Sequence, residues 1–215
     1  MYKLIILALV LSGCAVVQNS MPIADNDRAL IKSTMVVSTL GDDLYCSFVG
    51  FTIFNNKNKT YELGATFNQA FASNVASQLN AMGIDATPLA RTAISYVNES
   101  EGAQKWANIT LNNLPAISEG ITNLMIFDGE NHYASRGGYY ARNNALKTSA
   151  TLYVYEIPSG KLIGKSLAKR STLKRSFSCT QESIPVEDNM LKLIHSSGDS
   201  LQRELVETLF LSGQK

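Results

Sequence analysis

The stretch GATFNQAFASNVASQLNAMG, residues 64–83, does most to limit the folds open to this chain. Phe67, Phe71, Val75 and Leu79 recur every four residues, and Met82 follows after three. On an α-helix those steps stack side chains along one face. Asn68, Ser73, Ser77 and Asn80 fall largely elsewhere. The spacing predicts a helix over 64–82, with Gly83 placed to stop it in a left-handed cap. A one-sided helix has to bury its stripe, so the rest of the chain must supply a second layer.

The remaining segments read mainly as strands. IKSTMVVSTLG has a β-branched apolar centre and predicts a strand at 31–39. LYCSFVGFTIFNN predicts a second, from Leu44 to Phe54, and NNKNKT at 55–60 reads as a turn or loop. IDATPLA is a short strand or the approach to one. Over 98–122, Trp106, Leu111, Leu114, Ile117 and Ile121 are apolar at intervals of three to five. Pro115 is excluded from a helix interior, so one helix is expected late in that segment. NLMIFDG at 123–129 predicts a buried strand, and ATLYVYEIPSGKLIGKSLA a hairpin at 150–166 around PSG. GDSLQRELVETLFLSG aligns Leu201, Leu205 and Leu209, with Val206 and Phe210 alongside. Asp199 and Gln202 have capping-box spacing, so a helix is expected over 199–211, ended by Gly213. The expected class is α/β (α+β): a mixed β-sheet with about three packed helices.

The amino terminus has a different character. Lys3 precedes an apolar run from Leu4 to Leu11. Even a helix continued to Val17 is too short to cross a hydrocarbon core of roughly 30 Å. A short basic start and a 7–15 residue apolar core form a secretory signal peptide. Leu11, Ser12, Gly13 and Cys14 then resemble the lipobox of bacterial lipoproteins. The resemblance implies that Cys14 receives a diacylglyceryl group, that residues 1–13 are removed, and that the new amino group is acylated. Ala15 in place of an aspartate implies the outer membrane. The polar, proline-containing run NSMPIADNDR makes 14–29 the lipidated terminus and tether, leaving 30–215 as one domain facing the periplasm.

Residues 1–13 contain one charge, Lys3, so the remaining chain carries 18 basic against 18 acidic side chains. Nucleic-acid binding is driven largely by phosphate neutralisation, and a neutral balance argues against it. Beyond Cys14, only Cys46 and Cys179 remain. An oxidising compartment permits a disulfide between them, and two separately buried thiols are the alternative.

Candidate chemistry is sparse. Asp128, Glu130 and His132 alternate in DGENHYASRGGYYARNN, but a zinc site needs three or four convergent ligands, and His195 is the only other imidazole. No metal or other cofactor is expected. The segment 128–147 reads as a polar loop, in which Tyr133, Arg136, Tyr139, Tyr140 and Arg142 are candidate partner-binding residues. Its tyrosines also suit stacking on sugar rings. A second candidate surface is the acid-free run 161–175, with Lys161, Lys165, Lys169, Arg170, Lys174 and Arg175. Such a patch attracts anionic headgroups or an acidic partner. No GxSxG elbow, phosphate loop or paired-histidine motif occurs, and SSGDS at 196–200 reads as a loop and helix start.

The order of elements over roughly 31–211 resembles envelope lipoproteins of the curli-secretion, TolB amino-terminal and penicillin-binding-protein-activator type. The matching features are the early strand, the long helix at 64–82, the strand at 123–128, the hairpin around YEIPSGKLIG and the closing helix at 199–211. The resemblance implies an assembly, secretion or regulatory component. The expected function is a lipid-anchored, non-enzymatic protein that binds or regulates another envelope protein. The alternatives are a structural, homo-oligomeric subunit of a secretion or appendage assembly, a peptidoglycan-binding module, or a small envelope hydrolase.

Overall fold

The computed structural model describes residues 20–50, 55–91, 120–136, 144–157, 159–173, 177, 179, 181–184 and 189–211. A fourteen-residue strand, β5 (Asn123–Arg136), organises the sheet. In chain order the earlier elements are α1 (Asp25–Arg28), β1 (Ser33–Ser38), β2 (Asp43–Val49), β3 (Lys57–Glu62), α2 (Ala65–Ala81) and β4 (Asp85–Pro88). β6 (Ala145–Glu156), β7 (Leu162–Leu173) and α3 (Met190–Leu211) follow β5.

One side of β5 pairs antiparallel with β6 along Asn123–Ala134, and β6 pairs antiparallel with β7. The other side is shared. β1 lies parallel against 123–127 and β2 parallel against 131–136. β4 extends the sheet beyond β1, and β3 extends it beyond β2. The chain passes from β1 to β2 at residues 39–42, and that crossing is pinned to β5. The Thr39 hydroxyl donates to Asp128 Oδ1 at 2.6 Å, and Asn131 Nδ2 donates to the Leu40 carbonyl at 2.6 Å. Gly129 is required there, because a Cβ would lie 2.6 Å from both Leu40 Cδ1 and the Ser149 carbonyl oxygen.

The mixed sheet with helices is as the periodicities predict, and both α2 and α3 pack on one face. Phe71, Val75 and Leu79 of α2 meet Leu201, Leu205 and Leu209 of α3 over Val36, Phe127 and Leu152. Burying such aliphatic and aromatic side chains is worth about 1.5–3 kcal/mol each. Phe67 is only partly buried, and Met82 is exposed as the C-cap residue. Gly83 has φ +83°, and the Ile84 amide donates back to the Leu79 carbonyl, so the helix closes as its sequence predicts.

Several boundaries differ from expectation. Lys57–Thr60 of NNKNKT belong to strand β3 rather than to a loop, while Asn55 and Asn56 precede it. Its alternation is weak because β3 is an edge strand, where lysines are tolerated and only Tyr61 points inward. β2 ends at Val49, and residues 51–54 of the longer strand expected there lie outside the described residues. The hairpin arms are longer than 150–166, reaching Ala145 and Leu173. The segment 20–29 is not free tether: Met21 exchanges two backbone hydrogen bonds with Lys165, and Ile23 is buried. The helix expected late in 98–122 lies almost wholly outside the described residues, as does Gly213.

The largest correction concerns α3, which begins at Met190 rather than 199. Gly198 and Asp199 signal a helix start locally, yet both lie inside it. A Cβ on Gly198 would lie 2.3 Å from Phe71 Cε1, so the glycine lets α2 and α3 approach. Asp199 accepts from Asn74 Nδ2 at 2.8 Å and pairs with His195 at 3.0 Å, while buried Gln202 donates to the Phe71 carbonyl at 2.8 Å. These residues tie two helices together. Helix propensity alone favours Gly198→Ala by roughly 1 kcal/mol. The clash reverses the sign, and a loss of about 1–3 kcal/mol is expected in chemical denaturation. A stabilised variant would refute that packing argument.

Candidate functional site

The sheet face away from α2 and α3 has two unlike halves. Met35, Val37, Leu124, Ile126 and Tyr153 form a buried apolar cluster on one half. Burial raises the pKa of Tyr153 and Tyr155 above the usual phenol range. On the other half, alternation along β5 places Glu130, His132 and Arg136 in sequence. The ladders align Glu130 with Ser149 and Lys169, and His132 with Lys147 and Ser171. Tyr45 of β2 stands beside His132 on the opposite side.

His132 is the centre of this polar half. Its Nε2 lies 2.9 Å from Ser47 Oγ, and its ring centroid lies 5.0 Å from that of Tyr45. Burial lowers the His132 pKa, the Lys147 charge lowers it further, and Glu130 opposes them. The imidazole is therefore neutral near pH 7, with Ser47 as its hydrogen-bond partner. A cavity of about 280 Å³ opens beside it, lined by Glu130, His132, Lys147, Ser149, Lys169 and Arg170 among others. Glu130 accepts from the Ser149 hydroxyl at 3.2 Å.

A neighbouring cavity of about 360 Å³ is acidic, with Asp42, Asp43, Asp128 and Glu130 on its wall. Burial raises the Asp43 pKa, helped by the Asp42 and Glu62 charges. Arg91 Nε neutralises Asp42 at 3.1 Å. Asp128, Glu130 and His132 do not converge, because each side chain is drawn to a separate hydroxyl: Thr39, Ser149 and Ser47. Among the described residues no three His, Cys, Asp or Glu side chains are grouped to hold a metal ion. The Ser47–His132 contact is a polar floor for the face. Ser47 lies between Asn58 and Ala134 in the ladders, so its backbone serves the sheet.

The candidate partner-binding residues separate in space. Tyr133 is wholly buried, with its hydroxyl donating to the Phe177 carbonyl at 3.0 Å, so it offers a partner no surface. The polar-loop reading of 128–147 missed it because β5 and β6 continue through polar residues that alternate with buried ones. Arg136 is exposed at the end of β5, and its amide donates to Asn144 Oδ1 at 2.8 Å. Tyr139, Tyr140, Arg142, Lys174 and Arg175 lie outside the described residues. Lys161 sits 3.5 Å from Asp27, and Lys165 stands over the Tyr153 ring. Lys169 turns to the cavity, where Lys147 joins it, and Arg170 lies on the other sheet face, opposite Thr148. Lys147 escaped sequence reasoning because it fell in the expected loop; its signal was the β6 alternation.

Cys46 and Cys179 are joined in a disulfide, with Cα atoms 5.5 Å apart. It holds the segment around Phe177 and Cys179 against β2 and β3. Tyr61 donates its hydroxyl to the Gln181 carbonyl at 2.8 Å, and Lys59 Nζ donates to the Gln181 and Glu182 carbonyls. No helix among the described residues is long and apolar enough to cross a membrane.

A scan against protein families finds no match, and neither does a search of curated proteins. Among solved structures, the chain is similar to the PelC dodecamer from Paraburkholderia phytofirmans at 14% identity and TM-score 0.44, covering 89% of this chain and 94% of that one. Protein XCC0632 from Xanthomonas campestris is 10% identical at TM-score 0.45, over 85% of this chain and 86% of that one. Lipoprotein GNA1162 from Neisseria meningitidis is 11% identical at TM-score 0.39, over 82% and 99%. At this level of likeness none of them carries an argument about function.

Proposed function

We propose that this chain is an outer-membrane lipoprotein that acts by binding, as a subunit of an envelope assembly. The Cys46–Cys179 disulfide carries the reading, since such bonds persist in oxidising compartments, among them the periplasm. That compartment matches the one implied by the lipobox-like run ending at Cys14.

The sheet edges support binding as the mode of action. Asn80 occupies the β4 edge, its side-chain amide bonded at 2.9 Å both to and from the Ala86 backbone. The Gln181–Glu182 segment is held beside β3 by Lys59 and Tyr61. Among the described residues, only Met21 pairs with the outer side of β7, at Lys165. An open strand edge accepts a strand from another chain, and Lys169 and Arg170 limit indiscriminate pairing there. The lipid on Cys14 confines the domain to a surface layer and raises its effective concentration near partners in the same membrane.

The test is isolation of the intact lipoprotein from crosslinked cells, with mass spectrometry of what accompanies it. A specific envelope protein, or a ladder of self-crosslinks, lost on changing 166–173, supports the assembly role. Capture of neither overturns it. Cys14→Ala is expected to leave the thermal midpoint unchanged and to abolish function by releasing the domain. A soluble periplasmic Cys14→Ala form that works as well as the wild type would remove the role given to anchoring.

A further inference from the structure

The cavity beside His132 has a composition that the linear run 161–175 conceals. Lys147 comes from β6, and Lys169 and Arg170 from β7, while His132 forms part of the β5 wall. Neighbouring strands lie about 4.8 Å apart, and Lys147 and Lys169 stand on the same sheet face, so two cations from adjacent strands border one opening, while Arg170 alternates to the other face opposite Thr148. Among the described residues neither Lys147 nor Lys169 is in an ion pair. Glu130, the acid on the same wall, is engaged by Ser149. The Ser171 hydroxyl on the lining adds a donor. Two ammonium groups and a hydroxyl are a donor set that holds an anionic oxygen group.

We propose that the cavity of Lys147, Lys169 and His132 is a binding site for a phosphate group, borne on a lipid headgroup or on a soluble phosphorylated solute. Its volume, about 280 Å³, exceeds what one phosphate fills, leaving room for part of the group that carries it. The sheet pre-organises the site, because its ladders run unbroken through Glu130–Ser149–Lys169 and His132–Lys147–Ser171. The backbone needs no rearrangement on binding, and the ordering cost falls on the two lysine side chains.

Proton coupling follows from the surroundings of His132. Lys147 and Glu130 are the charged groups acting on it, with Ser47 on Nε2 and Tyr45 against the ring. A bound anion favours imidazolium, so the His132 pKa is higher in the complex than in the free protein. For a ligand of fixed charge, such as a phosphodiester, affinity therefore rises as pH falls through the bound-state pKa, and levels off below the free one. With both ring nitrogens protonated, Nε2 donates and the Ser47 hydroxyl oxygen accepts.

The chain has two histidines, which makes the test direct. Detergent-solubilised full-length lipoprotein is titrated with inorganic phosphate while both imidazoles are followed by NMR. The His132 signals are expected to move saturably and those of His195 to stay still. The joint variant Lys147→Ala with Lys169→Ala is expected to weaken binding at least ~10-fold. Glu130→Gln, which removes the opposing charge, is expected to tighten it. Saturation with vesicles containing phosphatidylglycerol, at lower phosphate than the free ion needs and not with phosphatidylcholine alone, assigns the group to a lipid. Saturation by inorganic phosphate without that preference assigns it to a soluble solute. The proposal is overturned if both histidines drift together without saturation, or if a folded Lys147→Ala, Lys169→Ala protein binds as the wild type does. Either result leaves the crosslinking test of the assembly role untouched.

Discussion

Replacing Cys46 and Cys179 together by alanine is expected to lower the unfolding free energy by about 2–5 kcal/mol. The two residues are 133 apart in sequence, so the bond removes much of the freedom of the unfolded chain. Both side chains are buried in one cluster with Tyr133, Phe177 and Met190, so their loss also loosens native packing. In a domain of this size the change corresponds to a fall of roughly 5–15 °C in the thermal midpoint. Reduction of the wild type is expected to give a similar fall. Hydrogen exchange should show the loosening first in β3, where Lys59 and Tyr61 hold the Gln181 carbonyl. A double variant melting within about a degree of the wild type would mean that the unfolded chain is already restricted without the bond.

Phe71→Ala is expected to cost about 3–5 kcal/mol in urea or guanidinium unfolding. Phe71 is fully buried, with its ring 6.3 Å from Phe127 and 5.4 Å from His195, and its edge is directly against Gly198. Truncation leaves a space between the two long helices and the sheet that the backbone cannot readily close. The same geometry predicts non-additivity with Gly198→Ala. Alone, the added methyl collides with the ring; in the Phe71→Ala background it enters the vacated space. A double-mutant cycle is expected to show a favourable coupling of about 1 kcal/mol or more. Strict additivity would mean that the two positions do not share the contact on which the α3 geometry rests.

How much of this was legible beforehand depended on the range of the forces involved. The stripe Phe71–Val75–Leu79 and the cap at Gly83 are local, and α2 lies where they place it. The same holds for the hairpin, since Leu152 and Val154 face the helices and Tyr153 and Tyr155 the opposite side. The extension of α3 to Met190 was hidden, because Gly198 and Asp199 are poor signals for a helix interior until Phe71, Asn74 and His195 are beside them. Strand β3 was hidden because an edge strand buries little and so needs little apolar alternation.

The candidate site shows the same division. The alternation of Glu130 and His132 was visible, as was the excess of lysine and arginine over 161–175. Which of those cations act together was not, because strand register decides it. Lys161 goes to Asp27 and Lys165 to Tyr153, while Lys169 meets Lys147, a residue outside the run, and Arg170 faces the other side of the sheet. Tyr133 differs from its expected place for a related reason: one residue of register separates the polar face from the core, and it fell on the core side. Local periodicity and short-range turn chemistry determined α2, its cap at Gly83 and the two faces of the hairpin from the sequence alone. The pairing of Cys46 with Cys179, the helix contact at Gly198 and the grouping of charges around His132 join residues distant in the chain, and only tertiary packing decides them.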